Sequence, residues 1–336
     1  AFERGDLIGV YRTPNQRWLD LVTSGSTHLD NFIRYDRRVR NINGDTITVE
    51  APIPMAIEQK YGGGRVKKIE RPAGWIEEVG VENLQLRADY KAVWKTQAKK
   101  AASNVWPNHA QAGVSVYGVT DGWVRKVTVR HVWRSAVYLY GTTVRMTVKD
   151  VANLDMIPVF QDGSGGRRYT FYNRGGQQNL FLRCYSETGR HDFTLASRAP
   201  GPVAFVDCLA TKAYSSTEPH RYYNTGVLYD NVRVEPAEDA QHRSAARIVA
   251  EFRHDSWQGA WTVMWNCGSE SITVDDPPDA RNLIVGWWPK EGEEPDPVGG
   301  KYTDKHVSYD FPWSYTHHRE RVNPRSLFFH QLEERL

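Results

Sequence analysis

The chain is poor in cysteine and has no long apolar run. Only three cysteines occur among its 336 residues, none of them lies in a CxxC pair, and their spacing does not fit a zinc site. Cys184, Cys208 and Cys267 each follow a short apolar core, so we expect a ladder of buried free thiols, with one disulfide as the alternative. No apolar stretch is long enough to cross a bilayer as a helix, so we expect no membrane partner.

An excess of one charge sign is also missing. The sequence has 43 Lys and Arg against 40 Asp and Glu, and no basic face is clustered as nucleic-acid binding requires. Gly62-Gly63-Gly64 lacks the GxxxxGK[ST] pattern of a phosphate loop and predicts a plain turn. We therefore expect no nucleic-acid partner, and no residue pattern predicts an oligomeric state.

The first residues, AFERGDLIGVYR, do not have the architecture of a signal peptide. Because Phe2 to Val10 resembles the middle of a β structure, we expect a mature or trimmed chain that further coils precede in the full gene product. No Asn-x-Ser/Thr acceptor supports a eukaryotic secretory origin. A secreted or periplasmic location is favoured over a cytoplasmic one.

Aromatic residues, in contrast, are plentiful. The chain has 12 Trp and 17 Tyr within a hydrophilic composition. Rings with an apolar face and a polar edge suit sugar binding or interfaces, and packing at the ends of a β stack is the alternative.

Short apolar cores recur along the chain at regular intervals. Those centred on Phe181, Ala204 and Leu228 lie 23 and 24 residues apart by subtraction, which predicts the coils of a solenoid. Their β-branched and aromatic content and their alternation predict strands. Similar cores occur at 84–86, 127–129, 144–148, 169–171, 248–250 and 261–265.

The pattern divides the chain into three parts. Residues 1–74 form a β-rich appendage, with strands at 6–10 and 40–49 and short helices after Pro14 and from Pro54. Residues 75–290 carry the repeats and the site. Residues 291–336 form a tail that ends in an amphipathic helix with Asn323 as its N-cap.

Ionisable residues concentrate between Cys184 and Val234, on loops between the apolar cores. Cleavage of a uronide by β-elimination needs an Arg to neutralise the carboxylate, a base for the C5 proton and an acid for the leaving oxygen; His and Tyr suit the last two roles. The predicted catalytic residues are Arg190, His191, Glu218, His220, Arg221 and Tyr222. The predicted substrate-binding residues are His109, Asp192, Arg198, Lys212, Tyr223, Tyr229 and Asp230. Structural capping or packing is the alternative role for each of these residues. His109 is included because the segment from Lys91 to Gln111 is either a loop over the groove or a solvated basic excursion.

Several of these segments also carry a resemblance to a known group of proteins. VENLQL, WVRKVTVRHV, GRHDF, a strand ending in DC, and EPHRYYNTGVLYDN resemble the right-handed parallel β-helix proteins of the pectate-lyase-like superfamily, over about residues 75–290. The EPH segment is similar to the DPH element of alginate C5-epimerases, with Glu218 in place of the Asp. The resemblance implies an all-β fold, a right-handed single-stranded parallel β-helix (solenoid), and action on acidic polysaccharides. The aspartate-rich calcium cluster of pectate lyases is not evident, so we expect no cofactor and no metal site, with a calcium ion as the alternative.

These observations together predict a polysaccharide lyase that cleaves a uronic-acid polymer. An inverting glycoside hydrolase using carboxylates among Asp192, Glu218 and Asp230 is the first alternative, and it requires two of them roughly 6.5–9.5 Å apart. C5-epimerisation, which begins with removal of the same C5 proton as β-elimination, is the second alternative. A carbohydrate-binding or tailspike-like β-helix without catalysis is the third alternative.

Overall fold

A computed structural model of the chain describes most of the sequence. The described residues are 1–24, 33–88, 110–155, 169–196, 198–237, 247–253, 256–288 and 321–336. They form an all-β protein with long parallel sheets and two short α-helices. None of the helices in these ranges has the length and apolarity needed to cross a bilayer. His109 lies outside the described residues.

The N-terminal part is a four-stranded antiparallel sheet in the order β3-β2-β1-β4. Its elements are β1 (Leu7–Arg12), α1 (Gln16–Val22), β2 (Ile33–Asn43), β3 (Thr46–Val49), a 3-10 turn (Gln59–Tyr61) and β4 (Gly64–Lys68). The helix predicted after Pro14 is confirmed, and the strand predicted at 40–49 forms a hairpin of β2 and β3 that turns at Gly44. The helix predicted from Pro54 is wrong: only the 3-10 turn forms in that segment, and Gly62 ends it in the left-handed conformation.

The remaining strands follow in chain order. They are β5 (Ile76–Glu77), β6 (Gly80–Arg87), β7 (Ala112–Val116), β8 (Val119–Thr120), β9 (Trp123–Arg130), β10 (Ser135–Tyr140), β11 (Thr147–Lys149), β12 (Ala152–Leu154), β13 (Phe171–Arg174), β14 (Asn179–Leu182), β15 (Tyr185–Glu187), β16 (Phe193–Ala196), β17 (Val203–Val206), β18 (Leu209–Ala213), β19 (Glu218–His220), β20 (Asn224–Asp230), β21 (Arg233–Pro236), β22 (Arg247–Ala250), β23 (Phe252–Arg253), β24 (Ser256–Trp257), β25 (Gly259–Ser269), β26 (Ser271–Val274) and β27 (Leu283–Trp288). A C-terminal helix, α2 (Leu327–Glu333), follows them.

Two parallel sheets dominate this part of the molecule. A twelve-stranded sheet follows the order β11-β14-β17-β20-β25-β21-β18-β15-β12-β9-β6, with β27 paired to β25. A five-stranded sheet has the order β19-β16-β13-β10-β7. In the five-stranded sheet each strand pairs in parallel with the next one along the chain that belongs to the same sheet, which is compatible with the predicted β-helix.

The predicted recurrence of strand cores is confirmed, with a register that differs by one residue from the predicted centres at the first step. Phe181 pairs with Phe205, and Phe205 pairs with Tyr229, in successive parallel strands. Their rings stack at centroid distances of 4.7 and 5.3 Å, and all three are fully buried. The paired residues are 24 residues apart by subtraction at both steps, so this interval places like side chains above one another in one core.

The three cysteines behave as predicted. Cys184, Cys208 and Cys267 are free and buried. The Cys208 thiol lies 3.6 Å from the carbonyl oxygen of Phe181, and that of Cys267 lies 3.4 Å from the carbonyl oxygen of Tyr229. Burial raises the pKa of the Cys184 thiol well above its usual value, which suits a packing role.

The C-terminal helix α2 is attached to the large sheet by hydrogen bonds to Asp230, the last residue of β20. Its N-cap is Ser326 and not the predicted Asn323, because the Ser326 hydroxyl accepts from the amide of Phe329. Ser326 also donates to Asp230 at 2.7 Å, as does the amide of Phe328. Asp230 thus anchors this helix.

Candidate functional site

The candidate site lies on one face of the five-stranded sheet. Alternation along β10, which has the sequence SAVYLY, sends Val137 and Leu139 into the apolar core and leaves Tyr138 and Tyr140 on the opposite face. The pairing register continues this second face across the later strands. One of its rows is Tyr138, Tyr172, Thr194 and Glu218, and the other is Tyr140, Arg174, Ala196 and His220.

A continuous series of rings crosses this face. The centroid of the Tyr140 ring lies 4.1 Å from that of Tyr138, which lies 4.8 Å from that of Tyr172. Tyr172 stacks on Tyr169 at 4.6 Å, and the Tyr169 ring lies 5.2 Å from the ring of His220. Tyr138 and Tyr172 are buried in this series, so the rings that offer a surface to a ligand such as a sugar are the partly exposed Tyr140 and Tyr169.

At the end of this series lie His191, Glu218 and His220. The two imidazole rings are 4.9 Å apart, and the Tyr169 ring lies 5.8 Å from that of His191. His220 Nδ1 is hydrogen-bonded to the Glu218 carboxylate, and His191 Nδ1 lies 3.6 Å from the same oxygen. The structure therefore brings together three of the six residues that the sequence predicts as catalytic.

Hydrogen bonds fix the tautomer of His191. Its Nδ1 lies 2.7 Å from the carbonyl oxygen of Ser216, which can only accept, so Nδ1 carries the hydrogen. Burial lowers the pKa of His191 to about 4, with the nearby His220 and Arg190 also disfavouring the cation and Glu218 favouring it. At neutral pH the ring is uncharged, and its Nε2 has a free lone pair.

The Glu218 carboxylate is fully buried and ionised. Burial alone would raise its pKa, but the histidines and the hydrogen bonds from His220 and Ser216 outweigh burial and hold the pKa below its usual value. Arg253 Nη1 lies 3.2 Å from its second oxygen. With Glu218 ionised, His220 Nδ1 is the donor in their hydrogen bond, which directs His220 Nε2 away from the carboxylate.

The same three residues are the candidates for binding a metal ion. Their ligand atoms lie within 4.8 Å of one another, and no other such group of three occurs within the described ranges. The donor set of two imidazoles and a carboxylate is one that zinc uses. However, Arg253 and His220 already engage both oxygens of Glu218, and His191 Nδ1 is used by Ser216. The present hydrogen bonds suit acid–base chemistry better than metal binding.

A guanidinium group lies against the tyrosine series. The Arg134 guanidinium carbon is 5.2, 5.5 and 5.7 Å from the ring centroids of Tyr138, Tyr169 and Tyr172. No carboxylate of the described residues forms an ion pair with Arg134. A cation that is held by rings in this way can pair with an anionic substrate.

Sequence reasoning missed Arg134 and the tyrosines of this series. The signal was present, because SAVYLY and TFYNR place tyrosines at alternate strand positions facing away from the core. The sequence predicts a strand core at 169–171, yet β13 begins only at Phe171, and Tyr169 lies in the preceding turn.

Some predicted residues lie beside the histidines. Arg190 is close enough to His191 for its charge to lower the pKa of that ring. Arg221, Tyr222 and Tyr223 follow His220 in three consecutive left-handed conformations, with φ of 59°, 63° and 56°. Left-handed backbone in non-glycine residues is costly, but it also occurs at other turns of this chain, such as Lys126, Arg183 and Asp207, so it does not by itself mark the site.

This left-handed turn directs Tyr223 into the protein. Its ring is fully buried and contacts Trp18 edge to face at 5.0 Å, while Tyr222 packs against the same N-terminal core. Asp279 accepts a hydrogen bond from the Tyr223 hydroxyl and another, of 2.6 Å, from the indole of Trp18. The turn after His220 is therefore joined to helix α1.

The structure places four other predicted binding residues in structural roles. Tyr229 belongs to the ring stack of the core, and Asp230 anchors helix α2. Asp192 is fully buried and accepts hydrogen bonds from Thr170 and Ser186. Lys212 pairs with Glu187 at 2.8 Å.

Comparison of the sequence with protein-family models gives no match, and comparison with curated proteins gives none either.

Proposed function

We propose that this protein is a carbohydrate-active enzyme that cleaves a uronic-acid polysaccharide by β-elimination on a right-handed parallel β-helix. The observation that carries the proposal is the position of His220, held by a buried carboxylate at the end of a series of tyrosine rings. Because Tyr169 is partly exposed, a sugar in contact with its ring would lie beside the imidazole.

His220 is the proposed base. The ionised Glu218 accepts its Nδ1 hydrogen and orients the ring, so that the lone pair of Nε2 can take up a proton. Its side chain is 15% exposed, against 6% for His191, so it is the more accessible of the two. His191 is neutral and more deeply buried, which suits a positioning role.

Arg134 and Tyr169 complete the proposed chemistry. Arg134 would pair with the uronate carboxylate, which makes the C5 proton more acidic. His220 Nε2 takes that proton, the electron pair forms the C4–C5 double bond, and the bond from C4 to the leaving oxygen breaks. The Tyr169 hydroxyl, on a ring beside both histidines, would give that oxygen its proton.

The carboxylates suit elimination better than inverting hydrolysis. Glu218 is engaged by Arg253 and His220, Asp192 by Thr170 and Ser186, and Asp230 by helix α2. Inverting hydrolysis needs one carboxylic acid free to protonate and one carboxylate free to activate water. C5-epimerisation would use the same base, and proton exchange from solvent without chain cleavage would identify it.

Secretion or a periplasmic location is part of the proposal, because polymeric uronates occur outside the cytoplasm.

Incubation with a panel of uronate polymers, followed by measurement of the absorbance of the unsaturated product, tests the activity directly. We expect product from at least one polymer. Product from none of them would refute the lyase proposal.

Substitution of both histidines separates catalysis from binding. His191→Ala with His220→Ala should lower turnover by about 10² or more, as expected for removal of a general base. His330→Ala, on the exposed face of helix α2, is the matched control and should leave turnover unchanged. A double variant with unaltered turnover would exclude both histidines from the mechanism. If wild type binds the polymer without cleaving it, and the double variant keeps that affinity, the protein is a carbohydrate-binding module.

A further inference from the structure

The tyrosine series continues beyond Tyr140 to a ring on the surface of the protein. Tyr117 directly follows β7, and its ring centroid lies 5.8 Å from that of Tyr140. Val116, the residue before Tyr117, pairs with Leu139, the residue before Tyr140. Tyr117 therefore extends the row of the sheet face that ends at His220.

Tyr117 is far more exposed than the inner rings of the series. Its exposed fraction is 70%, whereas Tyr138 and Tyr172 are buried. Among the large apolar side chains of the described ranges, only that of Leu336 is more exposed. A single exposed ring is common on protein surfaces, so exposure alone does not mark a site. Its mounting and its position add the information that exposure lacks.

Hydrogen bonds hold the turn that carries Tyr117. The amide of Gly118, whose φ is 67°, donates to the Thr142 hydroxyl at 2.9 Å. The carbonyl oxygen of Gly118 accepts from the amide of Ile76 at 3.0 Å. Thr142 belongs to the turn after Tyr140, so the two rings are mounted on turns that are bonded to each other. Rings fixed in this way lose little conformational entropy when a ligand binds.

Tyr117 and Tyr140 together form an angled aromatic surface. Their ring planes meet at 71°, so the pair forms a corner and not a flat platform, and Tyr140 is itself partly exposed. Tyrosine rings combine an apolar face with a polar edge, which suits the C–H groups and the hydroxyl groups of a sugar. We call these two residues the outer tyrosine pair.

The outer tyrosine pair lies far from the proposed base along the same face. β7 and β19 are at opposite ends of the order of the five-stranded sheet, so four strand spacings separate Tyr117 from His220. These spacings correspond to about 19 Å. A disaccharide cannot reach from one place to the other, whereas a polymer that crosses the strands along this row would contact both.

We propose that the outer tyrosine pair binds a sugar of the polymer several units away from the cleaved linkage. This inference rests on the proposed function and adds to it a preference for long substrates. The ring of Tyr117 supplies the contact, so a phenylalanine at this position should replace it.

The first test measures binding of hexasaccharides by calorimetry in the His220→Ala protein, so that no cleavage occurs. The probes are hexasaccharides of galacturonate, mannuronate and guluronate. We expect Tyr117→Ala to weaken binding of a uronate hexasaccharide about tenfold, as for loss of one aromatic contact surface. Tyr117→Phe keeps the ring and should retain most of the affinity.

The second test compares substrate lengths in the protein with intact His220. Tyr117→Ala should lower kcat/KM for a hexasaccharide about tenfold more than for a trisaccharide, which is too short to reach from His220 to the outer tyrosine pair. Tyr185→Ala is the control, because Tyr185 is a partly exposed tyrosine of β15 in the twelve-stranded sheet. It should change neither hexasaccharide affinity nor cleavage. Equal urea midpoints for the variants establish that they are folded.

Unchanged hexasaccharide affinity in Tyr117→Ala overturns the inference, as does failure to bind any uronate hexasaccharide or an equal loss of kcat/KM for both lengths. A dimer in sedimentation that Tyr117→Ala dissociates would also overturn it and assign the ring to an interface between two copies of the chain. Cleavage of a polymer without an effect of Tyr117→Ala on binding refutes the outer tyrosine pair and leaves the proposed function standing. Tyr117-dependent binding without cleavage of any polymer refutes the lyase proposal and leaves the pair standing.

Discussion

Lowering the pH from 7.5 to 5.0 should destabilise the fold through His191. The buried ring is held neutral and donates its Nδ1 hydrogen to the Ser216 carbonyl, with its pKa lowered from 6.5 to about 4. In the unfolded chain the same ring takes up a proton near pH 6.5. The stability that the neutral ring contributes is therefore complete above pH 6.5 and is lost as the pH falls towards about 4.

The size of the effect follows from these two pKa values. At pH 5.0 the unfolded imidazole is almost fully protonated and the folded one is not, which corresponds to about 2 kcal/mol of lost unfolding free energy relative to pH 7.5. Glu218 contributes little to the loss of unfolding free energy between pH 7.5 and 5.0, because its pKa in the folded protein is lowered and its pKa in the unfolded chain is already below 5. The loss attributed to His191 is thus separable from that of the carboxylate.

Urea denaturation of wild type and His191→Asn at both pH values measures the effect. The Asn side-chain amide can still donate to the Ser216 carbonyl but does not titrate, so the variant should lose about 2 kcal/mol less than wild type between the two pH values. His330→Ala, which changes an exposed histidine, should follow wild type. Equal pH dependence of wild type and His191→Asn would refute a neutral, buried His191.

Two further predictions concern metal dependence and the core. Dialysis against EDTA should change neither the unfolding midpoint nor turnover, because Arg253 and His220 already engage both oxygens of Glu218; a loss of turnover that calcium or zinc restores would contradict this. Phe205→Ala should lower the unfolding free energy by about 3–5 kcal/mol in urea denaturation, since its fully buried ring is stacked on both sides. Phe252→Ala, at a residue that is 40% exposed, should lower the unfolding free energy much less than Phe205→Ala does. Equal losses of unfolding free energy for the two variants would argue against the stacked core.

The sequence predicts the core of the large sheet well because its repeat is regular. Phe181, Phe205 and Tyr229 recur every 24 residues by subtraction, so the spacing predicts successive coils, although the predicted centres miss the register by one residue at the first step. The five-stranded sheet is harder to predict, because its strands are separated by connections of unequal length. Tyr138 and Tyr172 are 34 residues apart by subtraction, yet they are direct neighbours.

The candidate site is predictable only where its residues are close in the chain. His191, Glu218 and His220 lie in one ionisable segment, and the structure brings them together. Arg34, in contrast, comes from the N-terminal sheet and lines one cavity with Arg174 and Arg198, and no local sequence pattern indicates such a contact. Adjacency in the sequence is also misleading: Tyr223 is three residues from His220, but the left-handed backbone sends its ring into the core.

The shared hydrogen bonds of Asp279 have a consequence for local unfolding. Trp18 in helix α1 and Tyr223, three residues after His220, both donate to this one carboxylate, and their rings are in contact. Segments joined by buried contacts of this kind open together in native-state hydrogen exchange. The amides of α1 and of the turn after His220 should therefore exchange with solvent as one cooperative unit. We expect unfolding of helix α1 to release the turn beside His220 while the large sheet keeps all its strands.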